Sequence, residues 1–263
     1  LYTVSTVLSH MEILIGTSGW LYKDWAERFY PKKTKNSEKL AYLAASFPTV
    51  EINSSFYRLP AKETFSLWQQ RVPEGFLFSA KLPRFLTQMK KLALDDNARS
   101  YGHDFVVNSA ALKQNLGAVL VQLPPNFSCN YERLEEFLSW LTKQYSRRKY
   151  KPDIFIEFRH ASWFTAGIYA LLEKYNTGFV ISDSSVWPHE RIFTTDSSYI
   201  RFHGPKELFA SSYSEKDLDE WAEYITSQKH IKRFYVYFNN DLSARAIENA
   251  KYLQLKINEL SKK

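Results

Sequence analysis

Charged and amide side chains recur in this sequence at the ends of short apolar runs. Glu51 and Asn53 end one run, Lys81 ends the next, and Glu157 with Arg159 ends a later one. A carboxylate can exchange protons with a substrate when its surroundings tune it, and lysine and arginine bind phosphate oxygens. Because such side chains are rarely buried without partners, the pattern predicts either a site for an anionic substrate or a plug of paired charges.

The candidate residues fall into two groups by their chemistry. Those suited to acid–base catalysis are Glu51, Glu157, Asp183 and His203. Those suited to binding a substrate are Trp20, Asn53, Tyr57, Lys81, Gln122, Arg159, Arg201, Tyr237 and Asn239. The rings of Trp20 and Tyr57 can stack on bases or sugars, although a single ring in such a loop more often caps the core. His160 and Trp163 follow the same run as Arg159 and are weaker candidates. His160 is more often a loop or helix-start histidine, and the Trp163 ring can simply cap the core.

The apolar runs that must position these residues read as strands buried on both faces. They are Ile13–Gly16, Thr49–Asn53, Phe76–Lys81, Ala118–Gln122, Asp153–Arg159, Gly178–Asp183, Tyr199–His203 and Phe234–Asn239. Near-continuous apolar strands are typical of parallel sheets, which need a crossover between successive strands. A polar residue at the carboxyl end of each strand is the layout of a barrel whose site lies at that end.

Helical periodicity between the runs supplies the crossovers. The predicted helices are Ser37–Phe47, Lys62–Arg71, Asp95–Leu116, Tyr131–Tyr145, Phe164–Tyr175, Glu215–Gln228 and Leu242–Leu260. The segment after the sixth strand, 184–196, is predicted to be a loop because it is short and contains Trp187-Pro188. The turn Gly16–Trp20 lacks the glycine spacing of a dinucleotide-binding fold. We therefore predict the α/β class, a TIM (β/α)8 barrel in a single domain at 11–263, with 1–10 as a dispensable N-terminal extension.

Composition limits the possible classes. Lysine and arginine exceed aspartate and glutamate by 35 − 28 = 7, and the pI is about 9.2, which suits a polyanion partner or simply a basic surface. The single cysteine, Cys129, excludes an internal disulfide and fits a reducing, cytoplasmic setting. No apolar stretch approaches the roughly 20 residues that span a bilayer, and residues 1–10 do not resemble a signal peptide.

The ordered motifs of the chain resemble those of a known family. They run from Ile15–Trp20 through Glu51–Tyr57, Phe78–Lys81, Leu123–Pro125, Glu157–Trp163, Arg201–Gly204 and Tyr237–Asn240. This sequence resembles the YecE-like family of TIM-barrel proteins, a domain-of-unknown-function family, from Met11 onward. The resemblance implies a TIM barrel and no established activity. The segment formed by the sixth strand and the loop after it is shorter than the family pattern, and only Ser182–Ser184 aligns with the family there.

These observations leave three functions open. The favoured one is an enzyme that acts through Lys81, Arg159 and Arg201 on an anionic, phosphate-containing substrate, either a small ligand or nucleic acid. A glycoside hydrolase-like enzyme using Glu51 and Glu157 is the first alternative. A non-enzymatic module that binds nucleic acid or protein is the second, since no familiar nucleophile motif occurs. We predict no metal and no cofactor, and the oligomeric state stays open.

Overall fold

The computed structural model describes residues 6–8 and 11–262, and it confirms a closed (β/α)8 barrel of parallel strands. The strands are β1 (Thr6–Leu8), β2 (Met11–Ser18), β3 (Thr49–Ile52), β4 (Leu77–Lys81), β5 (Leu116–Gln122), β6 (Asp153–Glu157), β7 (Thr177–Asp183), β8 (Ser197–Phe202) and β9 (Arg233–Phe238). Their order in the sheet follows the chain from β1 to β9, and β2 also pairs with β9, which closes the barrel. The short β1 pairs antiparallel with β2, so part of the expected extension joins the sheet.

Helices connect the strands much as the periodicity predicts. They are α1 (Asn36–Ala44), α2 (Ser54–Tyr57), α3 (Lys62–Gln70), α4 (Asp96–Ser109), α5 (Tyr131–Ser146), α6 (Ala166–Lys174), α7 (Glu215–Ser227) and α8 (Arg245–Leu260). The described residues between β7 and β8 contain no helix, as predicted. Throughout the described part of the chain, no helix combines the length and apolarity needed to cross a membrane.

Two predicted helices are wrong at their ends. The helix predicted at 95–116 stops at Ser109 and continues as a 3-10 turn to Asn115, within which Lys113 has a φ of 54°. The helix predicted from Leu242 begins only at Arg245, because Ser243 and Ala244 both adopt left-handed backbone conformations. Side-chain periodicity carries no information about these backbone conformations, so the pattern overran both ends.

The chain comprises two compact units. Unit 1 contains residues 1–51, 181–186 and 196–263, and unit 2 contains residues 52–180 and 187–195. The two units are described separately below.

In unit 1, β2 is the central strand. It pairs with β9 along Glu12–Thr17 and with β3 along Gly16–Ser18. At Gly16 a Cβ atom would collide with the backbone oxygen of Thr49, so only glycine allows these strands their spacing. On the outer side, α7 begins at a capping box formed by Ser214 and Asp217 and buries Leu218, Trp221 and Ile225.

In unit 2, β4, β5 and β6 pair in parallel, with Lys81 opposite Leu120 and Gln122 opposite Glu157. Every residue of β5 is buried, which explains its uninterrupted apolar sequence. The helix α5 begins at Asn130, whose side chain accepts a hydrogen bond from the Arg133 amide at 2.9 Å. Its buried stripe of Leu134, Phe137, Leu138 and Leu141 packs inward at helical spacing. The unit therefore holds three strand ends in fixed register.

Candidate functional site

Glu51 is the centre of a buried hydrogen-bond network in unit 1. Arg201 binds its carboxylate through two nitrogens, with Nε to Oε2 at 3.0 Å and Nη2 to Oε1 at 2.8 Å. Tyr199 donates to Oε2 at 2.6 Å, and Ser18 donates to Oε1. A carboxylate has about four lone-pair positions, and these four donors occupy all of them. Glu51 and Arg201 are both fully buried, so the network holds both side chains in place.

His203 extends this network to the end of β9. Its Nε2 lies 3.3 Å from Nη1 of Arg201, and its Nδ1 lies 3.2 Å from the Asn239 side-chain amide. Because an arginine nitrogen can only donate, Nε2 accepts in this contact. The Asn239 atom that faces Nδ1 is the side-chain nitrogen Nδ2. His203 is completely buried, and Asn239 is nearly so.

Asp183 and Tyr237 are also bonded within unit 1. Tyr213 donates to one Asp183 carboxylate oxygen at 2.7 Å, and the Trp221 indole donates to the other at 3.2 Å. Tyr237 is fully buried, with its hydroxyl 2.6 Å from that of Thr49. Burial raises the pKa of Tyr237 well above its ordinary value, so the phenol stays protonated. These two residues, like Glu51 and His203, occupy strand ends as predicted, and their functional roles stay predictions.

Asp241 in unit 1 is a candidate that the sequence analysis missed. It follows β9 by three residues, and its Oδ1 is buried without a hydrogen-bond partner among the described residues. Burial raises the pKa of the Asp241 carboxyl well above its usual range, and the Glu51 carboxylate adds to the effect, whereas Tyr22 and Arg201 oppose it. The left-handed Ser243 and Ala244 follow after Leu242. The sequence feature that could have indicated Asp241 is the run of polar residues that begins at Asn239.

Lys81 lies at the end of β4 in unit 2 and is almost completely buried. Its ammonium stands 4.1 Å from the centre of the Phe56 ring, a cation–π contact. Its backbone oxygen accepts a hydrogen bond from Ser55 at 2.6 Å, which ties the start of α2 to β4. The small exposed fraction of Lys81, 7 %, leaves part of its surface in contact with solvent.

Glu157 and Arg159 form an ion pair at the end of β6. Arg159 Nε donates to Glu157 Oε1 at 2.8 Å; the Glu157 side chain is fully buried, whereas 10 % of the Arg159 side chain is exposed. The guanidinium carbon lies 3.5 Å from the centre of the Trp187 ring. Trp187 belongs to the predicted loop after β7. Its contact with Arg159, which follows a different strand, could not be predicted from the spacing of residues in the sequence. The two contacts fix the arginine on an aromatic face.

Gln122 and Asn53 complete the strand ends of unit 2. Gln122 is nearly buried, and its backbone oxygen accepts a hydrogen bond from the Gln88 side chain at 2.8 Å. Asn53 directly precedes α2 and is half-buried. Both side chains therefore lie at the carboxyl ends of strands that neighbour β4, as predicted.

The aromatic candidates differ widely in exposure. Trp20 is buried, and Trp163 is completely buried, stacked on Phe158 with its indole nitrogen donating to the Phe127 carbonyl at 2.6 Å. Neither ring is open to a ligand in this structure. Tyr57 is 69 % exposed, so its ring is available for stacking. His160 accepts a hydrogen bond from the Ser162 amide and caps a short turn.

No cluster of three or more histidine, cysteine, aspartate or glutamate side chains suited to a metal occurs among the described residues. Apart from Asp241 and Trp187, the sequence analysis missed Ser18 and Tyr199, which complete the shell of Glu51. Tyr199 lies two residues before Arg201 on β8, so strand alternation puts both side chains on one face. That alternation was the available signal for Tyr199.

Comparison with known proteins agrees with this geometry and assigns the chain to a class of barrel proteins. The model of the family described as "Protein of unknown function DUF72" matches residues 14–263. The chain belongs to this family, which confirms the resemblance seen in the sequence.

Relatives and solved structures cover nearly the whole chain. The UPF0759 protein YunF of Bacillus subtilis (strain 168) is 27 % identical over 272 residues, covering 92 % of this chain and 93 % of YunF. A DUF72 family protein from Thermotoga maritima MSB8 is 29 % identical with a TM-score of 0.80, covering 97 % of this chain and 100 % of the other. One from Enterococcus faecalis V583 is 22 % identical with a TM-score of 0.78, covering 94 % and 95 %. The Enterococcus likeness supports the fold alone.

Proposed function

We propose that this protein is an enzyme acting on an anionic, phosphate-bearing substrate, and that Lys81 and Arg159 of unit 2 bind the phosphate. The observation that carries the proposal is the position of these two cations. Each lies at the carboxyl end of a parallel strand, where barrel enzymes have their sites. Each is backed by an aromatic ring and retains a small exposed fraction.

The spacing of the strands suits one phosphate group. Only β5 lies between β4 and β6, so the backbones that carry Lys81 and Arg159 are about 10 Å apart across the sheet. Lysine and arginine side chains are long enough to approach one ligand from both sides of that interval. Arginine offers paired N–H donors to phosphate oxygens, and lysine adds a point charge. Gln122 on the intervening strand supplies an amide to the same locality.

Arg201 enters this proposal as a positioning residue of unit 1, because its guanidinium is buried against Glu51. The glycoside hydrolase alternative gains no support from the contacts of Glu51 and Glu157. Both carboxylates are bonded to arginines, which favour the ionised form, whereas a glycosidase needs one carboxyl that carries a proton. Glu157, beside Arg159, remains the acid–base candidate nearest to the proposed phosphate site.

The test is a thermal-shift titration with phosphate monoesters and mononucleotides. We expect ligands near 100 times their Kd to raise the Tm by roughly 5–10 °C, since such saturation contributes about 2.7 kcal/mol. Lys81→Ala and Arg159→Ala should abolish the shift. Lys151→Ala is the matched control, because this exposed lysine precedes β6 and so lies at the opposite end of that strand from Arg159. A panel without any shift, or equal shifts in all variants, contradicts the proposal.

Turnover distinguishes the enzyme from a binding module. Glu157→Gln keeps the shape of the side chain but removes its negative charge and its capacity as a base. We expect this variant to bind the stabilising ligand at least as tightly as the native protein and to lose its conversion, measured by chromatography of the products. Binding without conversion by the native protein would instead identify a non-enzymatic module.

A further inference from the structure

Cations and aromatic rings alternate along the loops that follow the strands of unit 2. Besides the contacts of Lys81 with Phe56 and of Arg159 with Trp187, the Arg84 guanidinium lies 5.8 Å from the centre of the Tyr57 ring. We call these six residues the aromatic–basic surface. Lys81 is the last residue of β4, and the other five lie on the four segments that follow β3, β4, β6 and β7.

The exposed members of this surface are not explained by packing. Tyr57 is 69 % exposed, and Arg84 is exposed as well. Among the described residues Arg84 has no ion-pair partner. A ring and a guanidinium that only completed the core would be covered by other side chains, as Trp163 is in this unit. The pair therefore presents a stacking face and a positive charge to solvent.

The segment that follows Arg84 supports the same conclusion. Residues 85–89 form a π-helix, a rare conformation that is often found at functional sites. Lys91 and Leu92 then adopt left-handed backbone conformations, with φ of 46° and 66°. Hydrogen bonds from Gln88 to the Gln122 carbonyl and from Lys91 to the Asn126 carbonyl fix the segment to the strand end of β5. Strained backbone of this kind persists only where the surroundings hold it.

Additional cations of this segment also lie against rings. The Lys90 ammonium is 5.6 Å from the centre of the Phe85 ring, and that of Lys91 is 6.0 Å from the Phe127 ring. Asp95 pairs with Lys90 at 2.5 Å and offsets one of these charges. A row of cations beside rings is the arrangement with which proteins bind single-stranded nucleic acid: the cations contact the phosphates and the rings stack on the bases.

We propose that the aromatic–basic surface binds single-stranded nucleic acid, with bases stacking on Tyr57 and phosphates contacting Arg84, Lys81 and Arg159. This inference rests on the proposed function, because it makes the phosphate held by Lys81 and Arg159 one of a chain of phosphates. A duplex is the poorer ligand, since the faces of its bases are covered by their neighbours and cannot reach the Tyr57 ring. Overall charge agrees, with a net excess of seven positive side chains.

The test is fluorescence anisotropy with labelled 12-nucleotide single strands of DNA and RNA, their duplexes, and mononucleotide competitors, at 50 to 200 mM salt. We expect single strands to bind more tightly than either duplexes or mononucleotides. Tyr57→Ala should weaken single-strand binding by about tenfold, because stacking of one base contributes about 1–3 kcal/mol. Tyr57→Phe should restore it. Arg84→Ala should weaken binding and reduce the slope of log K against log salt by about one.

Matched controls are Tyr42→Ala and Arg147→Ala, an exposed tyrosine and an exposed arginine outside the surface, which should leave binding unchanged. Equal affinity for duplexes and single strands, or native affinity in Tyr57→Ala, overturns the inference. If mononucleotides stabilise the protein through Lys81 and Arg159 but single strands bind no more tightly, the proposed function stands and only the inference fails. If neither class of ligand binds, both fail.

Discussion

The two units each contain a buried glutamate–arginine pair, and the pairs are built differently. In unit 1, Arg201 reaches Glu51 from another strand through two nitrogens, and neither side chain is exposed. In unit 2, Arg159 reaches Glu157 from two residues away on the same segment through Nε, and it lies against the Trp187 ring with a tenth of its side chain exposed. The first pair is closed against solvent, whereas the second is partly accessible. Under the proposed function, the closed pair of unit 1 stabilises the barrel and the partly accessible pair of unit 2 contacts the ligand.

The largest effect is expected from breaking the closed pair. Arg201→Ala leaves the Glu51 carboxylate buried without its cation, which costs about 3–5 kcal/mol of the free energy of unfolding. Arg159→Ala should cost less, because Arg159 is the partly exposed member of its pair and its removal lets water reach the Glu157 carboxylate. Urea unfolding of the two variants measures both. Equal losses in the free energy of unfolding would show that the two pairs stabilise the protein equally, which contradicts the contrast between the units.

The substitution Asp241→Asn is expected to change the free energy of unfolding by an intermediate amount, and to raise it instead of lowering it. Its raised pKa means that stability falls as pH rises from the unfolded value, about 4, towards the folded value, because the folded state resists giving up the proton. Asp241→Asn removes this cost and should raise stability at pH 7, because asparagine has no proton to lose and therefore no buried charge to form.

Near pH 4 the gain from Asp241→Asn should nearly disappear, because the carboxyl is then protonated in the folded state and about half protonated in the unfolded state. Thermal melts from pH 4 to 8 measure the difference. Asp196→Asn is the control, since the side chain of this unit 1 aspartate is exposed and pairs with an exposed lysine, Lys232. A gain that does not depend on pH would contradict the expectation, and so would a loss of stability at pH 7.

The smallest effect is expected from the aromatic support of Arg159. Trp187→Ala removes a cation–π contact worth about 0.5–2 kcal/mol, so affinity for a phosphate ester should fall by a few-fold while the fold persists. Isothermal titration with a ligand that stabilises the native protein measures the change. Trp187→Phe should recover part of it. An unchanged Kd in Trp187→Ala would mean that Glu157 alone orients the arginine.

The sequence was sufficient for the barrel but only partly for the site. Apolar runs such as 116–122 and the stripe of α5 identify strands and helices because burial dictates residue type at each position. Residues at strand ends, including Lys81 and Glu157, could be located in the same way. Their partners could not, because Glu51 and Arg201 are 150 residues apart and any of several arginines could have matched that carboxylate. Exposure was equally invisible: Tyr57 and Trp163 have similar sequence contexts, yet one is open to solvent and the other is core.

The division into units has a consequence for how the chain is made. Unit 2 consists of residues 52–180 and 187–195, so all of it has been synthesised before residue 196 is added. Unit 1 requires both the first strands and residues 196–263, and synthesis proceeds at about 5–20 residues per second. Until Arg201 has been synthesised, the Glu51 carboxylate has no arginine to neutralise it, and β2 has no β9 with which to pair. The nascent chain therefore has no partner strand for this side of β2 for most of its synthesis, and an unpaired strand edge is a site at which chains associate.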